Sequence, residues 1–299
     1  NAQGSNAPVT DFNSNGFDVT KNSDWDYNDS GTKEVAWQWL AGGVPTTDKT
    51  AGAGATPTAG SVKIDGSNLG SALAGTLPAK RLSANTTAGF SIVKYTGTGS
   101  NATVGHGLGA APALIIIKNL ADSAGWRVFH QDVVNTKFLT LNDVVAPEDG
   151  TNVFNSTSPA PTVFSVGTDN GSNGSSDNII AYCFQEISGF SKFGSFSSGS
   201  SGDPFVHCGF TPALIFLKRT SSNDSWYVHD TARDPNNPAF RYLKWDDSAI
   251  EASNSNVFID IISNGFVCDL GSIVTSSDDM IFGAWASNPF AGTTPATAR

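Results

Sequence analysis

The sequence contains few charged residues. Asp, Glu, Lys and Arg make up 15% of its 299 residues, against about 25% in ordinary soluble domains. Amphipathic helices usually carry lysine and glutamate on their outer faces, so this composition disfavours a mainly helical protein. The net charge at pH 7 is −10. Such a chain is not expected to bind nucleic-acid phosphates or an anionic lipid surface.

Cysteines and long apolar runs are also scarce. The three cysteines, Cys183, Cys208 and Cys268, are too few to build a disulfide framework, and their spacing fits no zinc motif. We therefore expect buried thiols. No run of 18 apolar residues is present, so no membrane insertion is expected. Because the chain begins at Asn1 rather than methionine, we expect a processed start or a piece of a longer chain.

The polar part of the composition comes from Ser, Thr, Asn and 31 glycines. These residues favour tight turns between short strands. Aromatic residues make up 10% of the chain, including 7 tryptophans and 19 phenylalanines, which argues against a disordered protein. The composition as a whole indicates an all-β fold.

A segment of about 100 residues occurs twice. Within 109–130, eight residues are identical to those 100 positions later, and Gly89-Phe90-Ser91 recurs as Gly189-Phe190-Ser191. A second block, 176–184, resembles 277–285 at an offset of 101. Internal repetition of this length predicts tandem copies of one structural unit. The eight identical residues of the first copy are Gly109, Pro112, Ala113, Leu114, Ile115, Lys118, Trp126 and Val128.

The second half of this unit occurs a third time, near the start of the chain. Asn15-Gly16-Phe17 matches Asn264-Gly265-Phe266, and Val35-Ala36-Trp37-Gln38-Trp39 takes the place of the strand at 180–184. Residues 1–42 are therefore predicted to be the C-terminal half of a repeat, followed by complete repeats at 88–188 and 189–290 and a flexible tail at 291–299. No linker separates the two complete repeats, so we expect them to pack closely or to share strands.

Residues 43–87 are rich in Ala, Gly, Thr and Ser. This composition predicts a linker with at most one short strand, at Val62-Lys63-Ile64.

Within each repeat the local patterns are those of β-strands. Residues 113–118 form a short apolar run typical of a strand buried on both faces. A polar turn separates this run from Trp126–His130, so the two segments predict a hairpin. Many short strands within about 100 residues predict a β-sandwich, of jelly-roll type, in each repeat. A β-propeller is disfavoured because its blades repeat every 40–50 residues or so.

The sequence from Ala88 to Gly109 resembles a repeat of virion proteins from marine bacteriophages, which are tail-fibre-like proteins of cyanophages and related phages. Three further elements strengthen the resemblance: Pro112-Ala113-Leu114, a lysine that ends the strand, and a tryptophan eight residues later. It covers most of 1–42 and 88–290. The resemblance implies a non-enzymatic structural or attachment protein at the virion surface. It supplies no catalytic, cofactor-binding or metal-binding residues.

Several residues could nevertheless carry chemistry. His106 and His207 occupy one repeat position, so we expect a structural or capping role, with an opposed pair of metal ligands as the alternative. The other two histidines are His130 and His229. Hydrolysis by carboxylates is disfavoured, because sequence proximity alone does not place two acids across a cleft. The acids considered are Asp246, Asp247, Glu251, Glu148 and Asp149.

The segment Asp24-Trp25-Asp26-Tyr27-Asn28-Asp29-Ser30-Gly31 places oxygen donors at alternate positions, which suits calcium. The spacing of an EF-hand is not met, since position twelve is Val35, and an ordinary solvated turn is favoured. Trp25 and Tyr27 are candidates for exposed aromatic residues. Trp126 and Trp226 could stack on sugar rings, but their place in a repeated strand favours the core. Phe193 and Phe196 are assigned to a hairpin tip or a junction between the repeats.

Two functions remain open from the sequence. The first is a structural or attachment protein of a phage virion, without cofactor, that self-associates, binds other virion proteins and contacts host-surface polysaccharide. An exposed half-repeat at 1–42 would need a partner chain or upstream sequence to cover Val35, Trp37 and Trp39. The alternative is a carbohydrate-binding module or a bacterial surface or filament adhesin.

Overall fold

The computed structural model describes residues 9–13, 16–20, 30–198, 203–255, 258–269 and 278–287. Within these ranges nearly all regular structure is β-strand, which confirms the all-β prediction. The one helix found there, α1 (Asn170–Asn173), is a single turn. None of the helical structure described is long and apolar enough to cross a membrane. The chain divides into two compact units, residues 1–39 and 40–299.

The first unit contains an antiparallel hairpin of β1 (Val9–Asn13) and β2 (Gly16–Val19). The strand expected at Val35–Trp39 is not formed, and that prediction is wrong. The side chains at positions 35, 37 and 39 are still half-buried, whereas those at 34, 36 and 38 are exposed. In the complete repeats the equivalent strand is hydrogen-bonded on both sides by strands from the first part of its own repeat. The described part of residues 1–39 holds no such strands to pair with it.

Residues 62–184, called the first half here, form a nine-stranded sheet and a two-stranded sheet. In chain order the strands are β3 (Val62–Ile64), β4 (Ser67–Asn68), β5 (Ala79–Asn85), β6 (Phe90–Thr96), β7 (Ala102–Gly105), β8 (Leu114–Asn119), β9 (Arg127–His130), β10 (Lys137–Thr140), β11 (Glu148–Asp149), β12 (Val163–Val166) and β13 (Asn178–Phe184). The large sheet has the order β11-β10-β9-β8-β13-β6-β5-β3-β4, and β12 pairs with β7.

The prediction that residues 43–87 form a linker is wrong. β5 is hydrogen-bonded between β3 and β6, parallel to the first and antiparallel to the second. Leu77, Ala79, Leu82 and Ala84 are buried in the core of the first half. The segment looked like a linker because it is rich in Ala, Gly, Thr and Ser, but its residues Leu77 and Leu82 are buried and β5 is paired on both sides. The strand predicted at Val62–Ile64 is present.

Residues 191–285, called the second half here, form a six-stranded and a three-stranded sheet. Its strands are β14 (Ser191–Ser197), β15 (Phe205–His207), β16 (Leu214–Arg219), β17 (Trp226–Asp230), β18 (Arg241–Lys244), β19 (Ala252–Ser253), β20 (Phe258–Ile262), β21 (Gly265–Asp269) and β22 (Asp279–Trp285). The large sheet has the order β14-β22-β16-β17-β18-β19. In the first half, β6-β13-β8-β9-β10-β11 follow the same order, and β12 with β7 corresponds to β21 with β15.

Each half has its own hydrophobic core between its large and its small sheet. In the first half, Ile115 and Ile117 of the large sheet share the core with Phe164 and Val166 of the small one. In the second half, Ile215 and Leu217 share it with Phe266 and Cys268. Because side chains alternate along a strand, the residues between these point to the opposite side of the large sheet, called the outer face here. The predicted hairpin of 113–118 with 126–130 is confirmed, since β8 pairs with β9 in antiparallel register.

The outer faces of the two large sheets pack against each other. Phe184 of the first half contacts both Phe193 and Trp285 of the second, with ring centroids 6.3 and 5.6 Å apart. Imidazole Nε2 of His130 lies 3.2 Å from the carbonyl oxygen of Phe282. These buried side chains close one end of the outer face of the first half, where Phe184 of β13 and His130 of β9 lie on either side of Leu114. Phe193 thus lies at the junction between the repeats, as the sequence suggested, but within a strand rather than at a hairpin tip.

Candidate functional site

The strongest candidate site is the outer face of each large sheet near the tryptophan of the repeated strand pair. In the second half this face is closed by the first half. The indole of Trp226 is fully buried, and its Nε1 donates a hydrogen bond to the carbonyl of Thr140, 3.0 Å away. The prediction that Trp226 belongs to a core is therefore right, but the core lies between the halves rather than within one of them.

The segment that closes the second half is residues 141–146, called the first loop. Lys218 donates from Nζ to the carbonyl of Val144 at 2.8 Å. The same carbonyl accepts the backbone N–H of Asp224, also at 2.8 Å. The backbone N–H of Ala146 donates to Oδ1 of Asn223 at 3.0 Å. Together with Trp226 and Thr140, these contacts hold the first loop on the outer face of β16 and β17.

Lys218 is a fully buried cation at this contact. Its ammonium group also donates to the carbonyl of Asp224 at 2.5 Å and lies 5.9 Å from the centroid of the Trp226 ring. Burial lowers the pKa of Lys218 to about 8, although Asp224, Asp246 and Asp143 counteract the shift. Asp143 belongs to the first loop, so one half supplies a negative charge to the buried cation of the other.

The equivalent part of the outer face of the first half, around Trp126, is left open by the residues that the structure describes. Trp126 and Tyr182 are half-buried and stack on each other, with ring centroids 6.4 Å apart and planes inclined by 20°. Lys118 lies beside them on the same face and is also half-buried. Its Nζ donates to the carbonyls of Asp122 and Ala124 at 3.0 and 2.6 Å. The prediction that Trp126 is a core residue is wrong, because its side chain is half-buried and no loop within the described ranges covers it as the first loop covers Trp226.

A second copy of the first loop exists in the second half. Residues 245–250, called the second loop, follow β18 as the first loop follows β10. The N–H of Leu141 donates to the carbonyl of Trp126, and that of Trp245 to the carbonyl of Trp226. Two further bonds recur in the same way. Trp126 N–H donates to Asn142 Oδ1 in the first half, as Trp226 N–H donates to Asp246 Oδ1 in the second. Within the loops, Val145 N–H donates to Asp143 Oδ1, as Ala249 N–H donates to Asp247 Oδ1.

The four histidines differ in burial and in the contacts that they make. His106 is buried; its Nδ1 accepts the N–H of Leu108 and its Nε2 faces the carbonyl of Ala160 at 3.0 Å. His207, at the matching position, is exposed. Desolvation lowers the pKa of His130 and of His229, each to about 4. His130 bridges the two halves, a role that its sequence context did not reveal.

The acidic residues considered for hydrolysis lie in turns and ion pairs. Asp246 and Asp247 hold the second loop, as described above. Glu251 pairs with Arg233 at 2.9 Å and with Arg241 at 3.4 Å. Asp149 pairs with Lys137 at 2.8 Å, and both Glu148 and Asp149 are exposed on the edge strand β11. The structure does not assemble these acids into one site.

No group of three or more His, Cys, Asp or Glu residues that could hold a metal ion occurs in the described ranges. The proposed calcium segment lies mostly outside those ranges, including Asp24, Trp25, Asp26 and Tyr27. The three cysteines are buried thiols, as expected. Burial raises the pKa of Cys183 and of Cys208 to about 12, so these thiols are poor nucleophiles at neutral pH.

Sequence reasoning did not find Tyr182 as a partner of Trp126, nor the two loops that follow β10 and β18. A signal for the loops was present in Asn142-Asp143 and Asp246-Asp247, which follow their strands at the same distance.

The fold and this face define an all-β protein built from two similar halves, in which the outer face of the second half binds a loop of the first. The chain belongs to the family described as Domain of unknown function (DUF7483), whose model matches residues 65–289. The match begins before β5, in agreement with the place of that strand in the sheet. Comparison with curated proteins and with solved structures gives no match.

Proposed function

We propose that this protein is a non-enzymatic structural and attachment protein of a phage virion, built from tandem β-sandwich repeats of jelly-roll type. The observation that supports it best is the contact between the halves. A repeat whose loop closes the outer face of the next repeat is suited to building an elongated assembly. The shared strand order of the two halves supports a tandem repeat. The sequence resemblance to marine phage fibres supports a place in a phage virion.

The polar groups support a structural role. Arg233 joins Asp230 and Glu251, at 2.5 and 2.9 Å, and Arg127 is bound by Asp169 at 3.2 Å. These pairs tie loops to strands. The remaining surface is rich in Ser, Thr and Asn, which form hydrogen bonds that salt screens less than ion pairs. Such a surface suits a particle exposed to sea water and to host polysaccharide.

The test is to locate the protein in particles. Antibodies against the purified chain should label intact phage by immunogold electron microscopy, at fibres or other surface projections, and the chain should appear in the mass spectrum of purified virions. Its absence from purified particles, with the protein found only in infected cells, would overturn the proposal.

A carbohydrate-binding module is the second candidate, and the half-exposed pair of Trp126 and Tyr182 favours it. Aromatic faces of this kind stack on sugar rings. A glycan array probed with the chain distinguishes the candidates. Two results together would favour the carbohydrate-binding module over the virion protein. The chain would bind a glycan and lose that binding in Trp126→Ala, and it would be missing from purified virions.

A further inference from the structure

The open face of the first half and the second loop of the second half are complementary parts of one interface. In the second half, the equivalent face is filled by the first loop. We propose that the second loop (residues 245–250) of one chain docks on the open face (Trp126, Tyr182 and Lys118) of a second copy, so that chains join head to tail. This inference rests on the self-association contained in the proposed function and names the surfaces that carry it.

The face that receives the loop is built in the same way in both halves. Lys118 and Lys218 both bind the carbonyl six residues further along, at Ala124 and Asp224. In the second half, the buried lysine donates a further bond to the first loop. An ammonium group has three hydrogens, and the bonds from Lys118 to the carbonyls of Asp122 and Ala124 leave one for a loop from another chain. Since Thr140 and Val144 correspond to Lys244 and Ser248, the expected acceptors are the carbonyls of those two residues.

The loop that would dock is exposed and preformed. Residues 247–250 are exposed, and the side chain of Ile250 is 90% exposed. The three hydrogen bonds that shape the first loop recur in the second loop, so little ordering is needed on binding. An apolar side chain left in water beside an ordered turn is a typical feature of an unoccupied contact.

The charges are complementary. In the contact between the halves, Asp143 of the first loop supports the charge of Lys218. The corresponding residue of the second loop is Asp247, and the corresponding lysine is Lys118. Lys94 lies next to Ile180 on the same outer face of the first half and adds a second cation. An acidic loop and a face with two lysines attract each other and disfavour the reverse pairing.

The interface is heterologous, because the loop of one chain meets the face of the next. Contacts of this kind join further copies without limit unless the rotation closes a ring. Each assembly keeps an unused loop at one end and an unused face at the other, so it grows from both ends. This property separates the proposal from a symmetric dimer, in which the same surface of both chains is consumed.

The test uses the full chain and two variants. Ile250→Asp removes the loop contact, and Trp126→Ala removes the face contact. Sedimentation velocity over a range of concentrations should show oligomers for the original chain and at least tenfold weaker association for each variant. An equal mixture of the two variants should form dimers and nothing larger, because the mixture holds one intact loop and one intact face. Phe205→Ser, a substitution of an exposed aromatic residue on the small sheet of the second half, should associate like the original chain.

Ile250 is exposed, so its substitution leaves folding intact, and thermal unfolding of each variant checks this. If Trp126→Ala melts earlier than the original chain, Tyr182→Ala takes its place. The proposal is overturned if the original chain stays monomeric, if both variants associate normally, or if their mixture forms no dimer. It is also overturned if Trp126→Ala abolishes sugar binding and leaves association unchanged. If the protein is absent from purified virions, that result contradicts the proposed function but does not contradict the association of chains in solution.

Discussion

The ring of Phe216 occupies the space where a side chain at Gly283 would begin. A Cβ at position 283 would overlap Cε1 of Phe216. The two residues are neighbours across β16 and β22. At the equivalent neighbouring positions the first half has Ile116 and Tyr182. The two halves thus fill the same space differently. The second half places the large ring of Phe216 beside a glycine, whereas the first half places the smaller Ile116 beside Tyr182. This exchange leaves Tyr182 on the open face for Trp126 to stack on.

The first prediction tests this pair of residues. Gly283→Ala should destabilise the protein by about 1–3 kcal/mol, since an added methyl group has no room beside the Phe216 ring. Combining it with Phe216→Ile should cost less than the sum of the two single changes, because the smaller side chain vacates that space. The coupling free energy between positions 216 and 283 is measured by urea unfolding of the original chain, both single variants and the double variant. Strictly additive effects would contradict the prediction.

A second prediction compares the two lysines of the repeat. Lys218→Ala should destabilise the protein by about 2–4 kcal/mol, because it removes a charged donor from the carbonyls of Val144 and Asp224 at a buried contact. Lys118→Ala should cost about 1 kcal/mol, because water can reach the half-buried carbonyls that it leaves. Chemical denaturation of both variants measures the difference. Equal losses would show that Lys218 is not part of a closed contact.

The third prediction concerns acid stability. The pKa of His229 is lowered from 6.5 to about 4, first by burial and then by the charge of Arg233, while Asp230 and Asp234 act in the opposite sense. Between pH 6.5 and 4 the unfolded chain therefore binds a proton that the folded chain does not. Stability is full above pH 6.5 and falls as the pH drops to about 4, by about 3 kcal/mol for this group.

The first half supplies the variant for this test. Phe129 is the residue opposite Ile115, as His229 is opposite Ile215. His229→Phe should reduce the loss of stability between pH 6.5 and 4 and leave the part due to His130 and His106, whose pKa values burial also lowers. Denaturation curves of the original chain and of His229→Phe at pH 7, 5.5 and 4.5 give the free energy of unfolding at each pH and test this prediction. An unchanged pH dependence would mean that His229 does not carry the effect.

A fourth prediction follows from β5. A chain beginning at residue 40 should fold cooperatively, since it keeps the whole second unit. A chain beginning at residue 88 should lose cooperative folding, because it exposes the edge of β6 and removes Val62, Leu77 and Leu82 from the core of the first half. Circular dichroism melting curves compare the two. A cooperative transition in the shorter chain, at the temperature of the longer one, would contradict this role of β5.

The strands of the repeat could be predicted from the sequence because their signals are local. Apolar residues fill the run from Leu114 to Ile117, and a polar turn separates it from β9, so strand and hairpin follow from neighbouring residues alone. β5 could not be found in this way. Its segment, Ala79-Lys80-Arg81-Leu82-Ser83-Ala84-Asn85, alternates poorly, and it forms a strand because β3 and β6 pair with it from both sides. The residue types of this segment do not by themselves specify that pairing.

The candidate face was partly visible in the sequence. Trp126 and Trp226 were recognisable as copies, and the same interpretation was given to both. Their exposure differs because the first loop lies on one of them, and that contact depends on how the two halves are placed.

The sequence by itself determined the all-β class, the period of the repeat and the hairpins, because these depend on side chains a few residues apart. Only the tertiary structure decided which side of each sheet faces its partner. The matched motifs at 89–91 and 189–191 suggest that Phe193 corresponds to Val93, a core residue opposite Ala181. In the structure Phe193 lies opposite Gly283 and packs between the halves, while Gly194 lies opposite Phe282. A shift of one residue in strand pairing moves a side chain to the other face, and packing across the whole sheet sets that register.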